Sequence, residues 1–259
     1  MQASPFFYPI PLFGRAGVVQ EEIVRVSELI LVRHGQASFG ATSYDQLSPV
    51  GLRQVEILSR HWLTMGEQFD VCYAGTLQRQ QQTASALLPH VKSGEVNIHP
   101  ALDEYNGESL IRIYLRDHAA REGFAEASGQ PVRDRKRFQL ILEAATRHWI
   151  DGTLVARDED HDFEPWRDFQ RRVHSALDEL MHKHQSGSRV LVSTSGGVIA
   201  LALQHALKLP DNQAVATNWM VNNSSVTRLV YGRGKVSLAG FNALTHLETP
   251  ALRELITFR

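Results

Sequence analysis

Short apolar runs that stop abruptly at polar residues are the strongest constraint on this chain. Leu29-Ile-Leu-Val32 is followed at once by Arg33-His34-Gly35. A run this short, without polar alternation, suits a strand buried on both faces of a parallel sheet. The pattern predicts a first strand over Glu28 to Arg33, a second near Phe69 to Ala74, a short third near Val96 to His99 and a fourth over Arg189 to Ser193. Helical stretches alternate with them. Ser48 can cap a helix with Pro49 in its first turn, and Leu52, Val55, Ile57, Leu58 and Trp62 recur near helical spacing. A second helix is expected near Thr76 to His90, another from Pro165 with Trp166, Phe169, Val173, Ala176, Leu177 and Leu180 on one stripe, and an apolar one over Val198 to Leu207 after a Gly196-Gly197 turn. Two further strands near Ser225 to Tyr231 and Lys235 to Phe241 close the sheet. Strand–helix alternation of this kind predicts an α/β fold of three layers, α/β/α, around a mostly parallel central sheet.

The segment from Tyr105 to Phe163 lacks strand-like runs and reads as a helical insertion or lid within one domain over residues 28–259. Residues 1–27 read as an extension: three prolines flank or interrupt the apolar Phe6 to Gly14 stretch and no basic region precedes it, unlike a signal peptide. The 27 Lys plus Arg against 28 Asp plus Glu leave no global basic field, so neither nucleic acid nor an anionic membrane is expected as a partner. No run reaches the roughly 18 apolar residues of a spanning helix. The one cysteine, Cys72, falls in a predicted strand as a small buried hydrophobe; it can form no internal disulfide and points to a reducing, cytoplasmic compartment.

Ligands of open α/β sheets bind beyond the carboxyl ends of the strands. The residues just past those ends are Arg33, His34 and Gly35, then Gly75 to Arg79, then Asp103 and Glu104, then Thr194 to Gly197. Guanidinium forks match phosphate oxygens, and a helix N-terminus at Gly196 adds backbone donors. An imidazole can attack phosphorus and a carboxylic acid can protonate a leaving oxygen. The set predicts a phosphate-handling site.

Leu31-Val-Arg-His-Gly-Gln36 resembles the RHG signature of the histidine phosphatase superfamily, also called phosphoglycerate-mutase-like. Further marks follow in order. Leu47 to Gln54 is similar to "LtxxGxxQ", Ala74-Gly-Thr-Leu-Gln-Arg-Gln-Gln-Gln-Thr-Ala84 to "SxLxRAxxTA", and Leu102-Asp-Glu104 to "LxE". Glu164 to Phe169, Asn223 to Leu229 and Asn242 to Leu247 resemble the family's last core helix start and closing strands. The resemblance implies that His34 is the nucleophile, that Arg33 and Arg79 hold the phosphoryl oxygens, and that Glu104 is the general acid. It implies no metal or other cofactor, and a small phosphorylated substrate or a phosphorylated protein as the partner.

Two positions depart from the family pattern. Its "SHGG" motif here reads Thr194-Ser195-Gly196-Gly197, so Ser195 stands where a second phosphate-contacting histidine is expected. Losing one charge-assisted donor would cost about 10²–10³ in rate. Gly40 stands where many relatives carry an asparagine, with Ser38 or the turn amides as substitutes. The mutase branch carries a longer stretch after RHG, whereas Gly35 leads quickly to Leu47-Ser48 here, which favours hydrolysis over transfer. Binding a phosphorylated ligand without turnover is the third reading, supported by Ser195.

The 12 histidines invite a metal reading. His182 and His184 would point about 200° apart on a helix, a poor joint ligand pair. His161 between Asp160 and Asp162 reads as a solvated loop, and Arg112, Tyr114 and Trp149 as candidate substrate-pocket residues.

Overall fold

The computed structural model describes residues 26–38, 45–124 and 135–258. Among these, four strands run β1 (Ser27–Arg33), β2 (Val71–Ala74), β3 (Val96–Ile98) and β4 (Arg189–Thr194), followed by β5 (Val226–Gly232) and β6 (Lys235–Ala243). The sheet order is β3-β2-β4-β1-β5-β6. The first four strands pair in parallel, β5 runs antiparallel to β1, and β6 runs antiparallel to β5, so the sheet is mostly parallel, as the runs predicted.

Alternate side chains of β1 enter two separate cores. Leu29 and Leu31 join one cluster with Val190, Val192, Phe169 and Leu177; Ile30 and Val32 join the other with Val55, Leu58, Cys72 and Leu191. A buried apolar run is therefore required by layers on both faces. The helices supplying them are α1 (Pro49–Met65), α2 (Gln78–Leu87), α3 (Gly107–Asp117), α4 (Arg135–Ile150), α5 (Trp166–Lys183), α6 (Gly196–Leu207) and α7 (Asp211–Asn218).

Helix α1 starts as predicted: the Ser48 hydroxyl accepts from Gly51 N at 3.0 Å, and Pro49 needs no donor there. Its buried stripe is Gly51, Val55, Leu58 and Trp62; Leu52 sits one position off it and is exposed. Helix α5 buries all six residues of its predicted stripe. Cys72 is fully buried, and desolvation pushes its thiol up to about 12.

Within 105–163 the described residues form helices α3 and α4, and these pack deeply. Leu110, Ile113 and Tyr114 of α3 and Ile141, Ala144, Ala145 and Trp149 of α4 are buried in the same cluster as Leu29 and Val192. Each such large side chain contributes about 1.5–3 kcal/mol of burial. His161 and Asp162 lie exposed in a loop, as expected, but Asp160 does not. The Asp160 carboxylate is fully buried, accepting from Arg116 Nη1 at 2.7 Å, Arg112 Nε at 3.2 Å and Arg157 N at 3.0 Å. Two guanidinium groups compensate its desolvation, which the acidic sequence around it did not reveal.

His246 is also buried, with Nε2 2.9 Å from Ser224 Oγ, and burial followed by the nearby His61 lowers its pKa to about 4. A histidine kept neutral in the fold contributes stability above its unfolded value of 6.5 that is lost as pH falls towards 4. That linkage amounts to about 3 kcal/mol once pH is below the folded value. Urea unfolding of wild type and His246→Gln at pH 7 and pH 4.5 should show a smaller loss on acidification in the variant; equal losses would refute the assignment.

Candidate active site

Register brings the site together. Arg33 at the end of β1 pairs with Thr194 at the end of β4, and Ala74 at the end of β2 pairs with Ser193. His34, Ser195 and Gly75 therefore leave three adjacent strand ends at one rim.

The His34 side chain is buried there. Its Nδ1 lies 2.7 Å from Gly35 O. A carbonyl only accepts, so Nδ1 carries the proton and Nε2 holds a lone pair. Arg79 Nε donates to that Nε2 at 3.2 Å. Burial first, then the charges of Arg79 and Arg33, hold the imidazole well below its usual pKa and keep it neutral. Close packing sets the loop's course: a Cβ on Gly35 would lie 2.5 Å from Gly51 O, and one on Gly51 would lie 2.2 Å from Gln36 O.

Arg79 sits in the first turn of α2, where its Nη1 pairs with Asp45 at 2.6 Å. Asp45 also accepts from Gln78 N at 2.8 Å. Arg33 donates through Nη1 to Val221 O. Glu104 is half-buried, and desolvation raises its carboxyl pKa against the opposing effects of the Gly197 N–H, Arg79 and Arg33. Its Oε2 accepts from Gly197 N at 3.0 Å and its Oε1 from Tyr105 N at 3.3 Å. The two arginines thus act on both His34 and Glu104.

Gly196 and Gly197 do not form a turn. They open α6, with Ser195 as its N-cap. Their lack of side chains serves contact: a Cβ on Gly196 would lie 2.4 Å from Asn218 Oδ1, and one on Gly197 2.2 Å from Glu104 Oε1.

Ser195 is fully buried, and its Oγ accepts from Gln80 Nε2 at 2.8 Å. The same Nε2 donates to Leu102 O at 3.1 Å. Gln80 Oε1, with no hydrogen-bond donor among the described residues, lies against Gly75, where a Cβ would sit 2.0 Å from it. A buried carboxamide thus fills space between Gly75 and Ser195. The sequence carried a signal for it: Gln80 and Gly75 stand at the Ala and Ser positions of the "SxLxRAxxTA" pattern. Asp45 carried no such signal.

Of the pocket candidates, Trp149 packs at a tilt against Tyr105 with a centroid separation of 4.8 Å and lines a small apolar cleft that also touches Gly197. Tyr114 is instead buried, donating to Glu122 at 2.8 Å, and Arg112 pairs with Asp160 and Asp162. Ser38 N donates to Gln46 O at 2.8 Å; Gly40 lies outside the described residues, as do residues 1–25. His184 Nε2 lies 2.9 Å from Tyr73 OH, occupied within the fold. Among the described residues no helix is long and apolar enough to cross a membrane.

Residues 29–244 match the family model described as histidine phosphatase superfamily (branch 1). No curated protein gives a significant sequence match. Solved structures share the fold. Bacillus stearothermophilus YhfR superposes with a TM-score of 0.61 at 18% identity, over 86% of this chain and 100% of that one. Phosphoglycerate mutase from Bacillus anthracis gives 0.59 at 19%, over 86% and 96%. A phosphoserine phosphatase mutant from Entamoeba histolytica, in complex with phosphoserine, gives 0.58 at 18%, over 85% and 99%.

Proposed function

Because the chain belongs to the histidine phosphatase superfamily, we propose that it hydrolyses a small phosphomonoester through a phosphohistidine on His34. The observation that carries this reading is the pairing of a buried neutral imidazole, lone pair on Nε2, with a half-buried carboxyl whose pKa is raised. One is poised to attack and the other to donate a proton.

In the first step, His34 Nε2 attacks phosphorus, the ester P–O bond breaks, and the Glu104 proton goes to the leaving alcohol. In the second, the Glu104 carboxylate takes a proton from water, whose oxygen attacks phosphorus. The N–P bond breaks and inorganic phosphate leaves. Arg33 and Arg79 balance the phosphoryl charge, so the reaction proceeds without a metal. Phosphorylated small molecules fit this reading because a structural neighbour was solved with phosphoserine and another with 3-phosphoglyceric acid.

Hydrolysis of an aryl phosphate in EDTA tests the proposal. Glu104→Gln should lower kcat by about 10² on a substrate with a poor leaving group, and less on an activated one that needs no proton. Activity should rise as pH climbs past the lowered His34 pKa and fall as it passes the raised Glu104 pKa; the upper limb should vanish in the variant. EDTA-sensitive turnover, or a variant with an unchanged profile, would defeat the scheme.

A further inference from the structure

Two peptide planes hold the His34 imidazole in place, and both are anchored from distant parts of the chain. The Gly35–Gln36 peptide does two things. Its carbonyl accepts from His34 Nδ1 at 2.7 Å, and its N–H donates to Gln54 Oε1 at 2.8 Å. A peptide unit is planar, so fixing the N–H end fixes the direction of the carbonyl. The His34–Gly35 peptide is held likewise: its carbonyl accepts from Asn223 Nδ2 at 3.2 Å and Ser224 N at 3.3 Å, and its N–H donates to Thr83 Oγ1 at 3.1 Å.

One hydroxyl joins the two anchoring carboxamides. Thr257 Oγ1 accepts from Gln54 Nε2 at 2.9 Å and donates to Asn223 Oδ1 at 2.9 Å. The orientation of both amides is forced. Gln54 Nε2 also meets Leu255 O at 2.6 Å, and Asn223 Nδ2 meets His34 O; carbonyls take only donors, so the NH₂ groups face them. The Gln54 oxygen must then face Gln36 N, and the Asn223 oxygen must face the hydroxyl. The backbone closes the circuit, with Asn223 N donating to Thr257 O at 2.8 Å. Gln54, Asn223 and Leu255 are all buried, so the network exchanges poorly with solvent.

We infer that Thr257 is a positioning residue for the nucleophile: it ties Gln54 to Asn223, and the two carboxamides together set the peptide planes that hold His34 with its proton on Nδ1 and its lone pair on Nε2. This rests on the reading of His34 as the nucleophile, but the positioning itself can be measured without turnover. A threonine is suited to the place because its hydroxyl can accept from one amide and donate to the other. Valine has the same shape and can do neither.

The test compares wild type with Thr257→Val, Thr257→Ala and Thr257→Ser, each labelled with ¹⁵N-histidine. In wild type the His34 Nδ1 should give a protonated shift and Nε2 an unprotonated one. In Thr257→Val the two should move towards averaged values, and Thr257→Ser should restore the split. In parallel, kcat for the aryl phosphate should fall about tenfold in Thr257→Val with KM within twofold, because small misplacements of a reacting group cost rate rather than binding. Thr257→Ser should recover it. Thr257→Ala is the second variant should valine fail to fold, and it is read the same way on the folded fraction.

An unchanged His34 tautomer in folded Thr257→Val or Thr257→Ala overturns the inference, whatever the activity. So does a loss of thermal stability with neither tautomer nor kcat affected, since a merely structural role would give that. If wild type shows no hydrolysis at all, the nucleophile reading falls, while the tautomer result still decides the role of Thr257.

Discussion

His34→Ala should lower turnover of an aryl phosphate by about 10⁴-fold or more, the scale on which loss of a covalent nucleophile registers. The imidazole presents its Nε2 lone pair to Arg79, and the charges of both arginines act on it. Arg79 keeps its Asp45 partner in the variant, so the phosphate-holding side of the rim should survive. Substrate binding should therefore persist while kcat collapses. Acid–base lability gives a second readout. With a radiolabelled substrate quenched in mid-turnover, wild type should retain a base-stable, acid-labile phosphoryl label, and the variant should carry none. A loss below tenfold, or a label that remains in His34→Ala, would place the nucleophile elsewhere.

The second large effect concerns Ser195. Where the family motif has histidine, this chain has a buried serine, and the space beside it is filled by the Gln80 carboxamide. Ser195→His alone should therefore fail: a new imidazole must enter a volume already occupied, and overpacking of a buried site is destabilising by about 1–3 kcal/mol. Combining it with Gln80→Ala clears that volume. The double variant should exceed wild-type kcat by about 10²–10³, the worth of one well-placed donor to the transition state. Ser195→His with Gln80 retained should show a lowered Tm and no gain. Equal activity of the double variant and wild type would mean that Ser195 costs this protein nothing.

Much of the scaffold was legible in the sequence because two-faced burial leaves a crude mark. A run such as Leu29 to Val32 has little choice of place, and the polar residues that end such runs must meet at one rim. His34, Arg33, Arg79, Glu104, Ser195 and Gly196 do meet there. What escaped was set by partners remote in the chain. Asp160 looked solvated because the partners that match its charge, Arg112 and Arg116, lie 48 and 44 residues away in the chain. Gly196 and Gly197 looked like a turn because their actual constraint, the approach of Asn218 and Glu104, is tertiary. Gln80 left a mark only as a departure from the alanine of the "SxLxRAxxTA" pattern, and what it fills shows only once Gly75 and Ser195 are beside it. Thr257 had no mark at all, since its role exists only once Gln54 and Asn223 are beside it.

That wiring has a consequence for the order of events in folding. His34 comes early in the chain, yet the peptide planes around it are held by Gln54, Thr83 and Asn223, and Gln54 is itself held by residues 255 and 257. Contacts of such long sequence separation form late, after loop closure has been met. On a ribosome, β1 can exist only as an unpaired strand until β4 and β5 have been made, and the peptide planes around His34 stay unset until residue 257 has emerged. A nascent or partly folded chain would thus carry the RHG sequence without the fixed imidazole that the proposed reaction needs, and that reaction would begin only when the whole sheet has closed.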